Sequence, residues 1–321
     1  MHSFDQLLQQ FETHFNRRHF PTHPVTLYDP AQYILGLGGK RVRPVMCLMG
    51  NELFDTIKSD AWEVATAIEL FHNFSLIHDD IMDQAPLRRG NPTVHHQYGT
   101  NTAILAGDAM LIMSYDYLRR VNKEQLSAIL ALFNKAALEV SEGQQLDMDF
   151  EKRAVVTLDE YVHMITLKTS VLLAASLQMG AVIGGSGSGN AQHLYEFGKN
   201  LGIAFQVQDD YLDAFGDPTK FGKQVGGDIL ANKKTFLMIH ALESAGVSEK
   251  ERLLTLMQTQ PADKVAQVLD IFRSCGADTW AMELKNQYVQ KAMEHLEAIA
   301  VVSKRKEPLQ QLANFLVQRD Y

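Results

Sequence analysis

Apolar residues recur along most of this chain with the three-to-four-residue spacing of an α-helix, and no alternating pattern of convincing length indicates a β-strand. No fixed-period repeat and no linker divides the chain. The pattern therefore predicts one all-α domain over residues 1–321, a bundle of ten or more helices. Polar pairs with capping-box spacing predict three helix starts: Asp60 with Glu63, Thr157 with Glu160, and Ser248 with Glu251.

Two of the predicted helices carry aspartate clusters of the same form. The helix that opens at Asp60 should run through Asp79–Asp83, Asp-Asp-Ile-Met-Asp, and stop before Pro86, because proline disfavours helix in the residue before it. A later helix should carry Asp209–Asp213, Asp-Asp-Tyr-Leu-Asp, and end near Gly216. Both clusters lie inside apolar stretches, where carboxylates are rarely buried without a cationic partner.

The spacing inside each cluster indicates metal binding. Positions i and i+4 share one face of a helix, so Asp79 and Asp83 point the same way, as do Asp209 and Asp213. Like charges at that spacing repel, whereas a hard divalent cation turns the repulsion into attraction. Mg²⁺ prefers carboxylate oxygen and usually completes its shell with substrate phosphates. The clusters therefore predict Mg²⁺ ions that together bind a diphosphate, and the alternative for either cluster alone is a solvated acidic face.

Cationic side chains beside glycines accompany both clusters. Arginine suits bidentate phosphate recognition and lysine acts as a point charge. Any one of these side chains alone would be interpreted as a solvated surface residue, but together they match a metal-bound diphosphate and a second, metal-free one. They lie in Gly38–Pro44, Arg88-Arg89-Gly90, Lys168-Thr169, Gly222-Lys223 and Lys233-Lys234.

Composition limits the possible functions. The chain is 46% hydrophobic, and its formal net charge of -8 gives no electrostatic support for a nucleic-acid role. Its two cysteines, Cys47 and Cys275, cannot form a disulfide framework and suit a reducing compartment. The first residues lack a signal-peptide pattern, and no run of apolar residues is long enough to indicate a transmembrane segment. We expect a cytoplasmic protein.

The clusters and their neighbours resemble the trans-isoprenyl diphosphate synthases, the polyprenyl synthetase family. Residues 79–83 match its first aspartate-rich motif, with the arginine pair in place after it, and residues 205–213 match the second. The glycine-flanked cationic segments also match, so that the resemblance runs from about residue 36 to residue 240. It implies the isoprenoid synthase fold, with helices around a central prenyl pocket, and a homodimer.

The resemblance implies head-to-tail condensation of isopentenyl diphosphate with an allylic diphosphate. The implied metal ligands are Asp79, Asp83 and Asp209, holding about three Mg²⁺ ions per active site. Charge and water-mediated contacts would come from Asp80, Asp210 and Asp213. The leaving diphosphate would be neutralised by Arg88, Lys168, Lys223 and Lys233. The metal-free isopentenyl diphosphate would bind at Gly39, Lys40, Arg43, His72 and Arg89, while Thr169 and Gln206 would stabilise the allylic cation.

Product length should depend on the helix that precedes Asp79. Ser75, one turn upstream, is small, whereas Phe74 and Phe71 lie about 7.5 Å and about 12 Å along the helix and could form the floor of the prenyl pocket. In the family, aromatic residues at both the fourth and the fifth upstream positions, or two residues inserted in the first motif, accompany a C15 product. This chain has neither feature and resembles geranylgeranyl diphosphate synthases, with a C20 product. A C15 farnesyl diphosphate synthase is the alternative.

Other classes of protein remain as alternatives. Two helical Glu-x-x-His motifs, Glu69 to His72 and Glu160 to His163, are typical of di-iron helical bundles, but that interpretation leaves the aspartate clusters unexplained. A non-catalytic regulatory subunit should have lost a motif aspartate, and all six are present. A class I terpene cyclase would not need cations for a second diphosphate.

Overall fold

The structure, a computed structural model, describes residues 1–216 and 226–317. Over these residues the protein is built almost entirely from α-helices, so the predicted all-α fold with ten or more helices is confirmed. A π-helical turn, Thr166–Ser170, joins α8 to α9, and two short strands, β1 (Leu87–Arg88) and β2 (Asn91–Pro92), lie between α4 and α5. The helices are α1 (Phe4–Phe15), α2 (Val25–Gly36), α3 (Val42–Glu52), α4 (Ser59–Met82), α5 (Val94–Tyr98), α6 (Thr100–Leu118), α7 (Lys123–Lys152), α8 (Leu158–Ile165), α9 (Val171–Ile183), α10 (Ser188–Phe215), α11 (Gly227–Leu230), α12 (Phe236–Ser244), α13 (Val247–Gln258), α14 (Lys264–Ser274), α15 (Ala277–Ala298) and α16 (Ser303–Val317).

The chain divides into two compact units. Unit 1 comprises Met1–Lys135, Ala175–Tyr195 and Ile299–Pro308. Unit 2 comprises Ala136–Ala174, Glu196–Ala298 and Leu309–Tyr321. The first aspartate cluster belongs to unit 1 and the second to unit 2. That residues 1–321 act as one domain stays a prediction.

In unit 1, helix α4 carries the first aspartate cluster and packs against α2, α3, α5 and α6. Val64, Ile68 and Phe71 recur at i, i+4 and i+7 and are fully or almost fully buried. Burying each such side chain contributes about 1.5–3 kcal/mol. The helix ends at Met82, with Asp83 as its C-terminal cap, as predicted from Pro86.

In unit 2, a buried aromatic and aliphatic core supports the helix that carries the second cluster. Phe150 of α7, Tyr161 of α8, Val207 of α10, Phe236 of α12 and Phe272 of α14 belong to this one core cluster. Helix α10 ends at Phe215, next to the Gly216 that the sequence predicted as its end. The core therefore packs against α10 and supports the second cluster.

The predicted helix starts had mixed outcomes. The capping box at Thr157 is confirmed: its hydroxyl accepts from the Glu160 amide, and the Glu160 carboxylate accepts from the Thr157 amide. The box predicted at Asp60 is wrong, because α4 begins at Ser59 and the Asp60 carboxylate instead accepts from the Asn122 amide at 3.0 Å. The box predicted at Ser248 is also wrong, because α13 begins one residue earlier, after Gly246.

One helical segment, Leu158–Ile183, is long and apolar enough to cross a membrane by length and composition. Of its most apolar window, 72% is buried inside the protein. Burial of this kind is typical of a core helix, because a membrane-spanning helix would present its apolar side chains to lipid. It is the one such segment in the part of the chain that the structure describes.

Candidate active site

The first aspartate cluster is tied to the hairpin that follows it. Asp79 and Asp80 lie in the last turn of α4, and Asp80 is only 2% exposed. Arg88 donates from Nε to both carboxylate oxygens of Asp80, at 2.9 and 2.8 Å, and from Nη2 at 2.7 Å. Its Nη2 also lies 3.6 Å from Asp79 Oδ2. Burial alone would lower the pKa of Arg88, but the hydrogen bonds to Asp80 together with the charges of Asp80, Asp79 and Asp83 raise it. The guanidinium is therefore a fixed cation beside the cluster.

The hairpin turn places the second arginine of the pair. Leu87 pairs with Pro92 and Arg88 with Asn91, which leaves Arg89 and Gly90 as a two-residue loop, both with positive φ. Two-residue hairpin loops of this handedness match the twist of the strands. Arg89 donates to the carbonyl of Gly38, and a Cβ on Gly39 would lie 2.9 Å from the Arg89 guanidinium. Another residue at this position would displace the guanidinium and would also be strained by the φ of +140°.

Arg43 and His72, both predicted to bind isopentenyl diphosphate, are in contact in unit 1. Arg43 Nη1 lies 3.2 Å from His72 Nε2. Because a guanidinium can only donate, His72 accepts through Nε2 and is neutral in this contact. Burial, followed by the charges of Arg43, Arg89 and Arg88, holds the pKa of His72 well below its usual value. Burial also lowers the pKa of Arg43, to about 10, so that it stays cationic at neutral pH.

A buried ion pair supports this basic region, and it was not predicted. Arg41 begins α3 in the left-handed conformation and donates to the Glu69 carboxylate and, at 2.8 Å, to the Leu35 carbonyl. Asn73 also donates to Glu69, at 2.9 Å. Glu69 is thus satisfied by protein donors, and Glu160 is used as a helix cap. These contacts argue against the di-iron alternative, which needs both glutamates as metal ligands.

The predicted product-length residues line one side of α4. The Ser75 hydroxyl donates back to the His72 carbonyl at 2.8 Å. Phe71 is 2% exposed, and its ring centroid lies 5.5 Å from that of Phe74 and 5.3 Å from that of Phe133 on α7. The floor proposed for the prenyl pocket is therefore one end of an aromatic cluster within unit 1.

In unit 2, the second aspartate cluster is also held by protein donors. Asp210 is 5% exposed; it accepts from the Tyr161 hydroxyl through Oδ2 and from Gln206 Nε2 at 2.8 Å through Oδ1. Thr169 Oγ1 donates to Gln206 Oε1 at 3.2 Å. The structure thus joins three predicted site residues, Thr169, Gln206 and Asp210, in one hydrogen-bonded chain. Burial, with the Asp210 charge, raises the pKa of Tyr161 well above its usual value, so its hydroxyl stays a donor.

Lys168 and Thr169 lie in the π-helical turn that joins α8 to α9. Two glycines allow neighbouring helices to approach this turn closely. A Cβ on Gly143 of α7 would lie 2.7 Å from backbone atoms of Leu167 and Lys168, and a Cβ on Gly202 of α10 would lie 2.7 Å from Ser170 Cβ. Such π turns are frequent at functional sites. Lys168 Nζ is placed 2.5 Å from Asp147 Oδ2.

Asp213, the last residue of the second cluster, bonds to the start of α11. The Asp213 carboxylate accepts from the Asp228 amide at 2.9 Å, at the start of α11. Lys233 Nζ lies 3.5 Å from Asp228 Oδ1, which places this predicted phosphate ligand beside the cluster.

Lys40 is exposed in the loop before α3. Lys223, the remaining predicted phosphate ligand, lies outside the described residues.

Several predicted site residues of unit 2 line one cavity of about 120 Å³. The predicted residues Lys168, Thr169, Gln206, Asp210 and Lys233 all line it. Lys234, the neighbour of Lys233 in the sequence, also lines it. Three further lining residues were not predicted, because no spacing along the chain connects them with the aspartate motifs: Asp147, Tyr161 and Asp228.

The donor chemistry fits a hard divalent cation. Burial, then the charge of Asp228 and, more weakly, that of Asp209, raises the pKa of Asp210 to about 8, and a nearby cation would oppose that shift. Within residues 1–216 and 226–317, no group of three or more His, Cys, Asp or Glu side chains is arranged to hold a metal unaided. Mg²⁺ often uses only one or two carboxylates and completes its shell with water and substrate phosphates. The acidic clusters therefore suit a metal that arrives with a diphosphate.

Comparison with known proteins identifies the family. The polyprenyl synthetase family model matches residues 24–274. The chain belongs to the polyprenyl synthetase family. It is 38% identical over 299 residues to the short chain isoprenyl diphosphate synthase of Methanothermobacter thermautotrophicus, covering 93% of this chain and 92% of that protein. It is 36% identical to the geranylgeranyl diphosphate synthase of Methanosarcina mazei, covering 94% of this chain and 92% of that protein.

Solved structures agree with this assignment. A crystal structure of a geranylgeranyl pyrophosphate synthase is 42% identical and covers 99% of each chain with a TM-score of 0.95. This polyprenyl synthetase therefore has the isoprenoid synthase fold, as the sequence predicted, and it is a prenyltransferase. The roles of individual site residues stay predictions.

Proposed function

We propose that this polyprenyl synthetase condenses isopentenyl diphosphate head to tail with an allylic diphosphate and stops at C20 geranylgeranyl diphosphate. The observation that carries the product length is the small side chain of Ser75, one turn before Asp79, with Phe74 and Phe71 farther along the same helix. The names of similar geranylgeranyl diphosphate synthases support the same product. C15 farnesyl diphosphate is the alternative.

We assign the ligation of Mg²⁺ to Asp79, Asp83 and Asp209, with about three ions per site. When bound, Mg²⁺ supplies charge stabilisation to the departing diphosphate. The support is the carboxylate donor chemistry of each cluster together with membership of the family. In this assignment Asp80, Asp210 and Asp213 are not ligands, since each accepts hydrogen bonds that hold another part of the protein in place.

The cations assigned to the leaving group are Arg88, Lys168, Lys223 and Lys233. Three of them are each held by a carboxylate: Arg88 by Asp80, Lys168 by Asp147 and Lys233 by Asp228. A cation fixed in place before the reaction stabilises developing negative charge without reorganisation. We expect these pairs to orient the cations toward phosphate oxygens as the C–O bond breaks.

Isopentenyl diphosphate is assigned to Gly39, Lys40, Arg43, His72 and Arg89. The neutral state of His72 lets it donate from Nδ1, and the fixed guanidinium of Arg43 supplies the charge. After ionisation, the carbonyl of Gln206 and the hydroxyl of Thr169 face the allylic cation. The double bond of isopentenyl diphosphate attacks that cation, and the proton then lost passes to the departed diphosphate.

The test of this function is product analysis. Purified protein with Mg²⁺, labelled isopentenyl diphosphate and each C5, C10 or C15 allylic starter should give a C20 alcohol after dephosphorylation. Asp79→Ala should lower turnover by orders of magnitude with folding intact, whereas the matched control Asp270→Ala, at an exposed position on α14, should not. A C15 end product would replace the C20 assignment. A cyclic hydrocarbon formed from one allylic substrate alone would overturn the condensation reaction. A fully active Asp79→Ala enzyme would overturn the metal assignment.

We also propose a cytoplasmic homodimer. Helix α6 exposes Leu105 by 57% and Ile112 by 70%, and a patch of exposed apolar side chains on one helix is typical of an interface. Both cysteines are free thiols, which suits a reducing compartment. Light scattering should give twice the chain mass of 36.1 kDa, and Ile112→Lys should halve it. Val302→Lys, a control at a 69% exposed position, should leave the dimer intact, and a monomeric wild type would refute the proposal.

A further inference from the structure

The hydrogen-bonded chain in unit 2 begins at an aromatic residue with no assigned role. Tyr161 donates to Asp210 Oδ2, and Asp210 Oδ1 accepts from Gln206 Nε2 at 2.8 Å. Gln206 Oε1 in turn accepts from Thr169 Oγ1 at 3.2 Å. Tyr161 and Asp210 are each 5% exposed, so water competes little for these bonds.

This chain fixes which end of the Gln206 amide faces which neighbour. The two ends of a glutamine amide have nearly the same shape, so hydrogen bonding decides between them. In the structure Asp210 accepts through both of its oxygens, from the Tyr161 hydroxyl at Oδ2 and from the Gln206 nitrogen at Oδ1. The carbonyl oxygen is then directed to the Thr169 hydroxyl. Reversing the amide would place its carbonyl oxygen against Asp210 Oδ1 and lose the hydrogen bond between the two side chains, which disfavours the reversed orientation.

We propose that Tyr161 is a positioning residue for the prenyl transfer: by holding Asp210, it keeps the carbonyl oxygen of Gln206 directed to Thr169 and the cavity. The inference rests on the proposed function, in which that oxygen stabilises the allylic cation. Tyr161 itself contacts no reacting atom. Asp210 then acts through its two hydrogen bonds and not as a metal ligand.

The placement of Tyr161 allows this role to be separated from packing. Its ring belongs to the core of unit 2 and lies 6.4 Å from the ring of Phe236. Tyr161→Phe keeps the ring and removes only the hydroxyl donor. Asp210 would then keep its bond from Gln206 but lose the one that prevents its carboxylate from rotating. Loss of the hydroxyl should therefore disorder the amide while leaving the core packed.

The test is a double-mutant cycle with Tyr161→Phe, Gln206→Leu and the pair. Tyr161→Phe should lower kcat about 10–100-fold, because a misplaced group costs about that much, while KM for the allylic diphosphate changes less than about twofold. If Tyr161 acts through Gln206, the pair should be no slower than Gln206→Leu alone. Additive losses, or a Tyr161→Phe enzyme with normal kcat, would overturn the proposal. Tyr288→Phe, the same change at a residue packed on the same core, is the matched control and should leave kcat within about twofold.

A second measurement does not depend on activity. The side-chain amide protons of Gln206, followed by nitrogen-15 NMR, should exchange slowly in the wild type and about tenfold or more faster in Tyr161→Phe, while Tyr288→Phe matches the wild type. Unchanged exchange in Tyr161→Phe would refute the positioning role. A wild type without prenyl transfer would instead refute the proposed function, and this measurement would still decide whether Tyr161 holds the amide.

Discussion

Replacing Gly143 by alanine should displace the π-helical turn that carries Lys168 and Thr169. A Cβ at position 143 would lie 2.7 Å from the Leu167 carbonyl carbon and the Lys168 Cα, and closer still to the Lys168 amide nitrogen. These are backbone atoms, which cannot rotate aside as a side chain can. Ordinary contact begins at 3.4 Å, and the nearest atom, the Lys168 amide nitrogen, sets the shift, so α7 and the turn must separate by about 1 Å.

The expected magnitude follows from two opposing effects. Overpacking of this kind costs about 1–3 kcal/mol, whereas alanine in place of a helical glycine contributes about 0.5–1 kcal/mol. The free energy of unfolding should therefore fall by about 1–2 kcal/mol, and Tm by a few degrees. The effect on catalysis should be larger, because a misplacement on the order of 1 Å can cost about 100-fold in rate.

The assay compares urea unfolding and steady-state prenyl transfer for wild type, Gly143→Ala and Gly189→Ala. Gly189 is also helical, but a Cβ there would meet nothing within 4 Å, so this control should be neutral or slightly stabilising. We expect Gly143→Ala to lose about 10–100-fold in kcat while remaining folded at 25 °C. Wild-type stability and turnover in Gly143→Ala would show that the close approach does not position Lys168.

Three further predictions concern product length and pH. Ser75→Phe should shorten the product because it fills the first turn of the proposed pocket, while Ser75→Ala should not; an unchanged product would remove Ser75 from the length argument. Phe74→Ala should lengthen the product, measured in the same assay, and a shorter or unchanged product would count against Phe74 as the floor. Burial lowers the pKa of His19 from 6.5 to about 4 in the folded protein, despite its bond to the Phe15 carbonyl. As the pH falls below 6.5, the unfolded state therefore binds a proton at this histidine that the folded state does not bind. This histidine should therefore cost about 2 kcal/mol of stability by pH 5, measured as the difference in urea unfolding between wild type and His19→Gln at pH 7 and pH 5; equal pH dependence in the two would refute it.

Local sequence patterns predicted the elements that carry the candidate site. The end of α4 before Pro86, the end of α10 near Gly216 and the capping box at Thr157 each follow from neighbouring residues, and each is present. The failure of the capping box predicted at Asp60 has a long-range cause, because the Asp60 carboxylate bonds to the Asn122 amide. Local pattern cannot anticipate a distant partner of that kind.

The partners of the motif residues could not be predicted for the same reason. Asp147 and Lys168 lie on different helices, 21 positions apart, and Tyr161 and Asp210 lie 49 apart. The motifs identify acidic and basic groups but not which of them neutralise each other. Arg41, inside a recognised motif, is in fact a buried partner of Glu69.

The π-helical turn also sets the angular phase of α9. A π turn uses one residue more than an α turn, and one residue corresponds to about 100° around the axis. If Thr166–Ser170 is treated as ordinary α-helix on a helical wheel, the residues on one side of the turn are assigned to helix faces about 100° away from their true faces. Deleting a single residue there would restore a continuous α-helix and rotate Lys168 or the whole of α9 away from its neighbours. At its positions without an assigned catalytic role, this five-residue segment should therefore tolerate substitution far better than any change in its length.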